Sequence, residues 1–308
     1  LAQMLYNLLS SILRALGNSK LPLYFLIISA LLNIVLDLVF VLGAGLGVFG
    51  VGLATLISQI ASFVISLVYA LTRVSVFRLR REELKFDPET VKRALVLGIP
   101  VAAQTSIISV STMVLQGVVN GFGETVMAAY TVVDRVEQIV QQPYNSLSTA
   151  LTTFAGQNVG AQRLDRVKQG FRAGVKMVWM LSLPLFVLYF FAGRLILLFF
   201  ISQPTTTAIQ TGVTFLRILS PFYFIISAKL VADGILRGAG MMNKFMIATF
   251  ADLILRVILA ITLAKTALGA TGIWCAWPVG WCTAAVLSIG FYRTGAWKND
   301  KVPETEAA

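Results

Sequence analysis

The chain has 308 residues, 57% of them hydrophobic and only 13% charged, and its mean hydropathy is +0.81. That charged share is about half of what a soluble domain carries, so the composition calls for lipid as the solvent. A net charge of +11 would suit a nucleic-acid partner in a soluble protein, but here the charges lie between apolar runs; two cysteines and no histidine exclude a Cys/His metal cluster and a histidine-based acid–base pair.

A membrane-spanning helix needs about 20 apolar residues. Taken in chain order, nine segments qualify: 1–16, 21–42, 51–71, 94–119, 126–150, 175–200, 215–235, 245–263 and 273–292. They predict an all-α, polytopic membrane protein. Lysine and arginine favour cytoplasmic connections, and here the connections alternate. Lys20, the stretch 72–93 with Arg73, Arg78, Arg80, Arg81 and Lys85, the turn around Arg163 and Arg166, Arg237 with Lys244, and Lys298 with Lys301 fall on one side. Residues 43–50 and 120–125 carry no basic residue, and 202–212 carries none between the flanking Arg194 and Arg217. This places the C-terminus in the cytoplasm and accounts for the positive charge by topology, with no nucleic acid required. In the longest polar connection, Asp87 and Pro88 suit the cap and first position of a helix, so 73–93 reads as a cytoplasmic connector.

One stretch occurs twice. An offset of 223 separates Arg14 from Arg237 and Gly17 from Gly240, and it also lays 31–36 over 254–259; after a one-residue gap, Gly47, Gly50 and Ala54 lie over Gly269, Gly272 and Ala276. A repeat this long corresponds to half of a membrane transporter built from two helical bundles. The expectation is two pseudo-symmetric six-helix lobes: residues 1–72 as the last three helices of an incomplete first lobe, 94–293 as a complete second lobe, and 294–308 as a tail. About 150 residues of the first unit would then lie upstream of Leu1.

Several residues are costly in lipid. Asp37 is the only acid of the second span, and a charge inside hydrocarbon costs at least about 2.5 kcal/mol unless paired, hydrated or protonated. Asn33 precedes it by one helical turn, and Thr55 lies at a similar depth in the next span. Carboxylate, amide and hydroxyl oxygens suit a small hard cation such as sodium, or a proton exchanged at the acid; a satisfied structural carboxylate is the alternative. In the fifth span Asp134, Glu137, Gln138, Gln141 and Asn145 recur at spacings of three and four, and Pro143 is placed to interrupt the ladder. That stripe reads as the wall of a polar cavity near the midplane, the alternative being an internal hydrogen-bond network that includes Arg135. Lys229 with Asp233 and Asp252 with Arg256 are i,i+4 acid–base pairs, read as structural, with a coupling role open for Asp233. Pro100, Pro184, Pro221 and Pro278 fall within or at the start of spans. Cys275 and Cys282 are about 10 Å apart along one helix, too far for a disulfide, and read as packed thiols.

Leu13-Arg14 with Gly17 and Pro22, the echo Leu236-Arg237-Gly238-Ala239-Gly240, Gly98-Ile99-Pro100 with Gln104, and Gly156-Gln157-Asn158-Val159-Gly160-Ala161 together resemble the multidrug and toxic compound extrusion (MATE) family. The resemblance implies twelve helices in two lobes and export of organic cations and other amphipathic compounds against an inward flow of protons or sodium ions. In some members an Asn and an Asp of the fifth helix and a Thr of the sixth, with an Asp of the first, form the cation site; Asn33, Asp37 and Thr55 match the first three. Others place a carboxylate in the seventh helix, where this chain has no acid within 94–119 and Gln104 is the polar member.

The expectation is a secondary active antiporter in the cytoplasmic membrane rather than an enzyme. It would be a monomer without a cofactor, taking small amphipathic or cationic substrates and contacting membrane lipid. Its lobes would rock about a cavity lined by Gln104, the stripe of the fifth span and Asp233. The rivals are a flippase of related architecture for lipid-linked or polymeric cargo and a passive channel. A membrane-embedded prenyl transferase would need paired aspartates for magnesium, which the chain lacks.

Overall fold

All nine predicted spans are helical in a computed structural model of the protein, which describes residues 1–74, 77, 87–200, 205–295 and 297. Arg78, Arg80, Arg81 and Lys85 of the connector, and Lys298 and Lys301 of the tail, lie outside the described residues. No strand occurs among the described residues.

Two units divide the chain, Leu1–Pro88 and Glu89–Ala308. The first holds α1 (Ala2–Ala15), α2 (Lys20–Asp37), which runs on into a π-helical turn (Leu38–Gly43), and α3 (Gly47–Arg73). With lipid tails as apolar as leucine, helices in a membrane associate through close packing of small residues and through hydrogen bonds. The buried side of α3 follows that rule, with a small residue every four positions: Gly50, Ala54, Ser58, Ser62, Ser66 and Ala70. Against it packs the Pro22, Phe25 and Ser29 side of α2, and Ser29 Oγ donates to the Ser58 carbonyl at 2.7 Å. Leu23, Ile27, Leu31 and Ile34 on the outer side of α2 are exposed, as a lipid-facing surface requires.

The second unit runs from α4 (Pro88–Asn120) through α5 (Glu124–Gly160), α6 (Leu164–Phe200), α7 (Thr206–Leu219), α8 (Tyr223–Gly238) and α9 (Met242–Ala264) to α10 (Ala270–Arg293). Its core gathers Tyr130, Phe215 and Trp274, whose rings stack with centroids 4.2 Å apart for Phe215 and Trp274 and 5.7 Å for Tyr130 and Trp274. α4 joins that core through its last turns, by Leu115 and Val119. α5 and α8 approach backbone to backbone: Ser148 Oγ donates to the Leu230 carbonyl at 2.7 Å, and a Cβ on Gly234 would meet Leu151 Cβ at 3.1 Å.

Seven of the described helical stretches are long and apolar enough to cross a membrane: Lys20–Gly43, Gly47–Arg73, Pro88–Asn120, Leu164–Phe200, Thr206–Gly238, Met242–Ala264 and Ala270–Arg293. Of the nine expected, α1 falls short in length with 14 residues. α5 has length to spare with 37, but Asp134, Arg135, Glu137 and the amides after them lower its hydropathy. At about 1.5 Å per residue, α5 and α6 outreach a hydrocarbon core of about 30 Å and extend into the polar region. The proline expectations divide. Pro100, Pro143, Pro184 and Pro278 sit inside helices that continue past them, whereas Pro221 falls in a short 3₁₀ turn (Ser220–Phe222) between α7 and α8. Freed carbonyls are tolerated in a packed bundle, where neighbouring groups can satisfy them.

The internal repeat is written in backbone hydrogen bonds as well as in residues. Past the end of α1, Gly17 has φ +88°, its N–H donates to the Arg14 carbonyl at 3.0 Å, and Asn18 N–H donates to the Leu13 carbonyl at 2.9 Å. Past the end of α8, Gly240 has φ +77°, its N–H donates to the Arg237 carbonyl at 3.1 Å, and Met241 N–H donates to the Leu236 carbonyl at 2.8 Å. Both are Schellman turns, which require a left-handed residue and so favour glycine. Gly47 and Gly269, at the starts of α3 and α10, share φ +52°.

Candidate functional site

In the first unit, Asn33 and Asp37 continue the buried side of α2 beyond Ser29, and both are half-buried. Asn33 Nδ2 and Asp37 Oδ1 are buried atoms without a hydrogen-bond partner. Asp37 is the last residue of α2, where the ladder changes register: Leu38 N–H points to both the Ile34 and Val35 carbonyls, and Ala44 N–H reaches back five residues to Val39. Single π turns inside helices are frequent at functional sites. Thr55 is exposed, and its hydroxyl donates to the Val51 carbonyl of its own helix at 2.9 Å. Among the described residues no hydrogen bond joins Thr55 to Asn33 or Asp37.

In the second unit the predicted polar stripe of α5 separates into two sides. Glu137 turns inward and is 2% exposed; it accepts a hydrogen bond from the Tyr223 hydroxyl. Around Tyr223 stand Tyr189 of α6, edge-on with ring centroids 5.5 Å apart, Tyr144 of α5 at 6.3 Å, and Trp281 of α10 at 5.7 Å. The Tyr144 hydroxyl shares a 2.8 Å hydrogen bond with Ser182 Oγ, which also lies 3.3 Å from Ser227 Oγ. A carboxyl is thereby held in an aromatic enclosure drawn from four helices. Gln141, half-buried, lies within side-chain hydrogen-bonding reach of Glu137 one turn on, whereas Gln138 and Asn145 are exposed, Asp134 is half-buried, and Gln138 donates to Asp134 at 2.8 Å. Arg135 is exposed and lines a separate cavity with Gln116 and Thr131. Gln104 is half-buried on α4.

The two expected acid–base pairs are formed. Lys229 Nζ lies 2.7 Å from Asp233 Oδ2, both nearly fully buried, and Ser288 Oγ donates to Asp233 Oδ1 at 2.6 Å. One turn on, Arg237 donates to Ser148 Oγ at 2.8 Å and lies over the Phe245 ring. Arg256 binds Asp252 through both carboxylate oxygens, at 2.7 and 2.6 Å, with its guanidinium 4.8 Å from the Trp277 ring centroid. Among the described residues no hydrogen bond or ion pair joins Asp233 to Glu137. Cys275 and Cys282 are free thiols, each half-buried.

Tyr144, Ser182, Tyr189 and Tyr223 are absent from the sequence expectation. The one signal of the three tyrosines in the sequence is a phenol placed within an apolar span, where a hydroxyl needs a partner.

The family model MatE matches residues 100–262, more than half of the chain. This chain belongs to the MatE family. It is 32% identical over 310 residues to the probable multidrug resistance protein YoeA of Bacillus subtilis (strain 168), covering 97% of this chain and 66% of YoeA. It is 31% identical over 300 residues to the probable multidrug resistance protein YpnP of the same strain, covering 96% of this chain and 66% of YpnP. Among solved structures, one described as MATE in the bent conformation superposes with a TM-score of 0.86 at 23% identity, over 96% of this chain and 66% of that one. At that identity the likeness speaks for the fold. The chain spans about two thirds of the length of the relatives it matches. A MatE chain with several apolar helices is a multi-pass membrane protein of a transporter family.

Proposed function

We propose that the protein is a secondary active antiporter of the cell membrane, exporting amphipathic or cationic compounds in exchange for protons or sodium ions, with Asn33 and Asp37 as the coupling site. One observation carries this reading. Among the described acids within the helical spans, Glu137 is bonded by Tyr223, Asp134 by Gln138, Asp233 by Lys229 and Ser288, and Asp252 by Arg256, whereas Asp37 has no hydrogen bond or ion pair to another described residue. A carboxylate left so in lipid needs a proton or a cation. A half-turn of the Asn33 amide would present its oxygen to the same ion, and Thr55 retains lone pairs for it. Occupation neutralises Asp37 and alters the relative stability of the alternative helix packings, and coupling requires only that ion and cargo each bind those packings unequally.

In the same reading the segments 1–72 and 94–293 belong to two lobes, and 73–93 and the C-terminus lie in the cytoplasm, on the side of the basic connections. The half-buried and exposed face of α5 around Asp134, Gln138, Gln141 and Asn145 lines the substrate path, with Gln104 as a further polar group toward it, while Asp233, buried against Lys229 and Ser288, stands back from it. The acid of that face, Asp134, favours positively charged cargo. The chain acts as a monomer, with no resident cofactor.

The test is ethidium efflux from vesicles holding the intact protein, driven by an imposed pH or sodium gradient, for wild type and Asp37→Asn. Uphill movement that follows one gradient and is lost in the variant supports the reading and identifies the ion. Unchanged gradient-driven efflux from Asp37→Asn removes Asp37 from the coupling role. Ethidium movement that never runs uphill makes the protein a passive pathway.

A further inference from the structure

On the side of the second unit where α6 ends and α7 begins, Arg194, Leu198, Thr206, Gln210, Thr214 and Arg217 line a cavity of about 610 Å³. Its charge is one-sided, for no acid lines it, and neither arginine forms an ion pair among the described residues. Arg217 is held in place from behind: its Nε donates to the Phe190 carbonyl at 3.2 Å, and its guanidinium lies 5.8 Å from the Phe190 ring centroid. That leaves its two terminal nitrogens for a ligand. Thr214 Oγ1 is engaged with the Gln210 carbonyl at 2.9 Å, so the neutral donors on offer are the Gln210 amide and the Thr206 hydroxyl.

These arginines break the charge pattern of the chain. They flank the connection that the distribution of basic residues assigns to the side opposite the cytoplasm, where lysine and arginine are otherwise scarce. Their neighbours on α6 face lipid: Phe191, Leu195 and Phe199 are 73%, 70% and 86% exposed. A guanidinium on a lipid-facing surface is costly without a counter-charge, and here the anion has to come from outside the chain.

We propose that this cavity binds a phosphate group. Arginine pairs phosphate oxygens through two parallel N–H bonds, and two arginines around one cavity suit a tetrahedral anion better than a planar carboxylate. The volume falls within the ~300–1,000 Å³ range of small-molecule sites, which leaves room beyond a bare inorganic ion. Room, two cations and lipid-facing walls together select the headgroup of an anionic phospholipid. This assignment is independent of the transport reading.

The intact chain is purified in detergent and compared with Arg194→Gln, Arg194→Lys and the double variant Arg194→Gln/Arg217→Gln. Native mass spectrometry measures retention of phosphatidylglycerol against phosphatidylcholine, and thermal unfolding is followed with inorganic phosphate against chloride at equal ionic strength. Wild type is expected to prefer phosphatidylglycerol by about tenfold, Arg194→Gln to lose most of that preference and Arg194→Lys to keep part of it, as charge without the fork would. Among the described residues Arg194 makes no hydrogen bond, so its variants separate binding from folding. Stabilisation of wild type by inorganic phosphate, absent from the double variant and without a lipid preference, would keep the phosphate site and make its ligand a soluble anion. Equal responses of wild type and double variant to both ligands would overturn the proposal.

Discussion

In the α2–α3 hairpin Ser29 Oγ donates to the Ser58 carbonyl, and at the corresponding positions of the α9–α10 hairpin Asp252 lies against Gly280, where a Cβ would meet the Asp252 carbonyl oxygen at 3.2 Å. Both hairpins are thus closed at the same level by a contact too tight for a large side chain. Above it the chemistry differs. Asn33 corresponds to Arg256, Thr55 to Trp277, and Asp37 to the fully buried Ala260. The second hairpin therefore contains its charge, with Arg256 forked onto Asp252 and covered by an indole ring. The first has an amide and an acid with buried atoms unbonded. One frame, repeated, holds a closed ion pair in one copy and an amide and an acid with unbonded buried atoms in the other. A charge satisfied within the chain stabilises one packing at all times; one satisfied from outside makes the packing depend on what is bound.

The largest effect that would test this contrast is on Asp252. Removing it as Asp252→Ala leaves Arg256 mostly buried and unpaired, a loss expected near 3 kcal/mol, measured by thermal unfolding in detergent. Replacing both partners, as Asp252→Leu with Arg256→Met, is expected to recover most of that loss, because no lone charge remains. At Asp37 the pattern should invert. Asp37→Asn is expected to change stability by under about 1 kcal/mol while lowering gradient-driven export at least about tenfold. If Asp37→Asn unfolds the protein as readily as Asp252→Ala does, the two hairpins are alike and Asp37 is structural. Next in size, Trp277→Leu removes the ring from Arg256 and is expected to cost about 1.5 kcal/mol. An effect of similar size from Thr55→Ala would contradict the contrast, since the Thr55 hydroxyl bonds only its own helix.

Much of this frame was legible in the sequence, because it is set by local rules. Apolar runs of spanning length mark the helices, and an i,i+4 spacing was sufficient to find Lys229–Asp233 and Asp252–Arg256. The repeated glycines marked turns that need a left-handed residue. What escaped is of two kinds. The enclosure of Glu137 joins residues 137, 144, 189, 223 and 281 from four helices, and no spacing along the chain encodes which phenol meets the acid. The π turn after Asp37 differs from α-helix by one step of hydrogen-bond register, and its sequence, Leu38-Val39-Phe40-Val41-Leu42-Gly43, is as apolar as any other span. The strongest apolar run of the seventh span begins at residue 215, whereas α7 starts at Thr206 behind a Thr205 cap that accepts from Ala208 N–H at 3.2 Å. In the candidate site, Asn33 and Asp37 followed from the cost of an acid in lipid. The orientation of Thr55 did not, since depth along a helix does not determine the side a residue faces.

The smallest predicted effect bears on the frame itself, apart from what it carries. Gly17 and Gly240 close equivalent Schellman turns at φ +88° and +77°, a region that an L side chain enters at a cost of roughly 1 kcal/mol. A Cβ on Gly17 would meet nothing within 4 Å, so Gly17→Ala is a test of backbone conformation without steric contact. Gly17→Ala and Gly240→Ala are therefore expected to destabilise by about the same 1 kcal/mol, and the two together by about their sum, since each turn is closed by hydrogen bonds among its own residues. Thermal unfolding of the two single variants and the double variant checks this. A much larger loss at Gly240 would mean that the second turn is also held by packing, through Met241 and Phe245 beside it, and that the repeat is shared in sequence and geometry but not in energy.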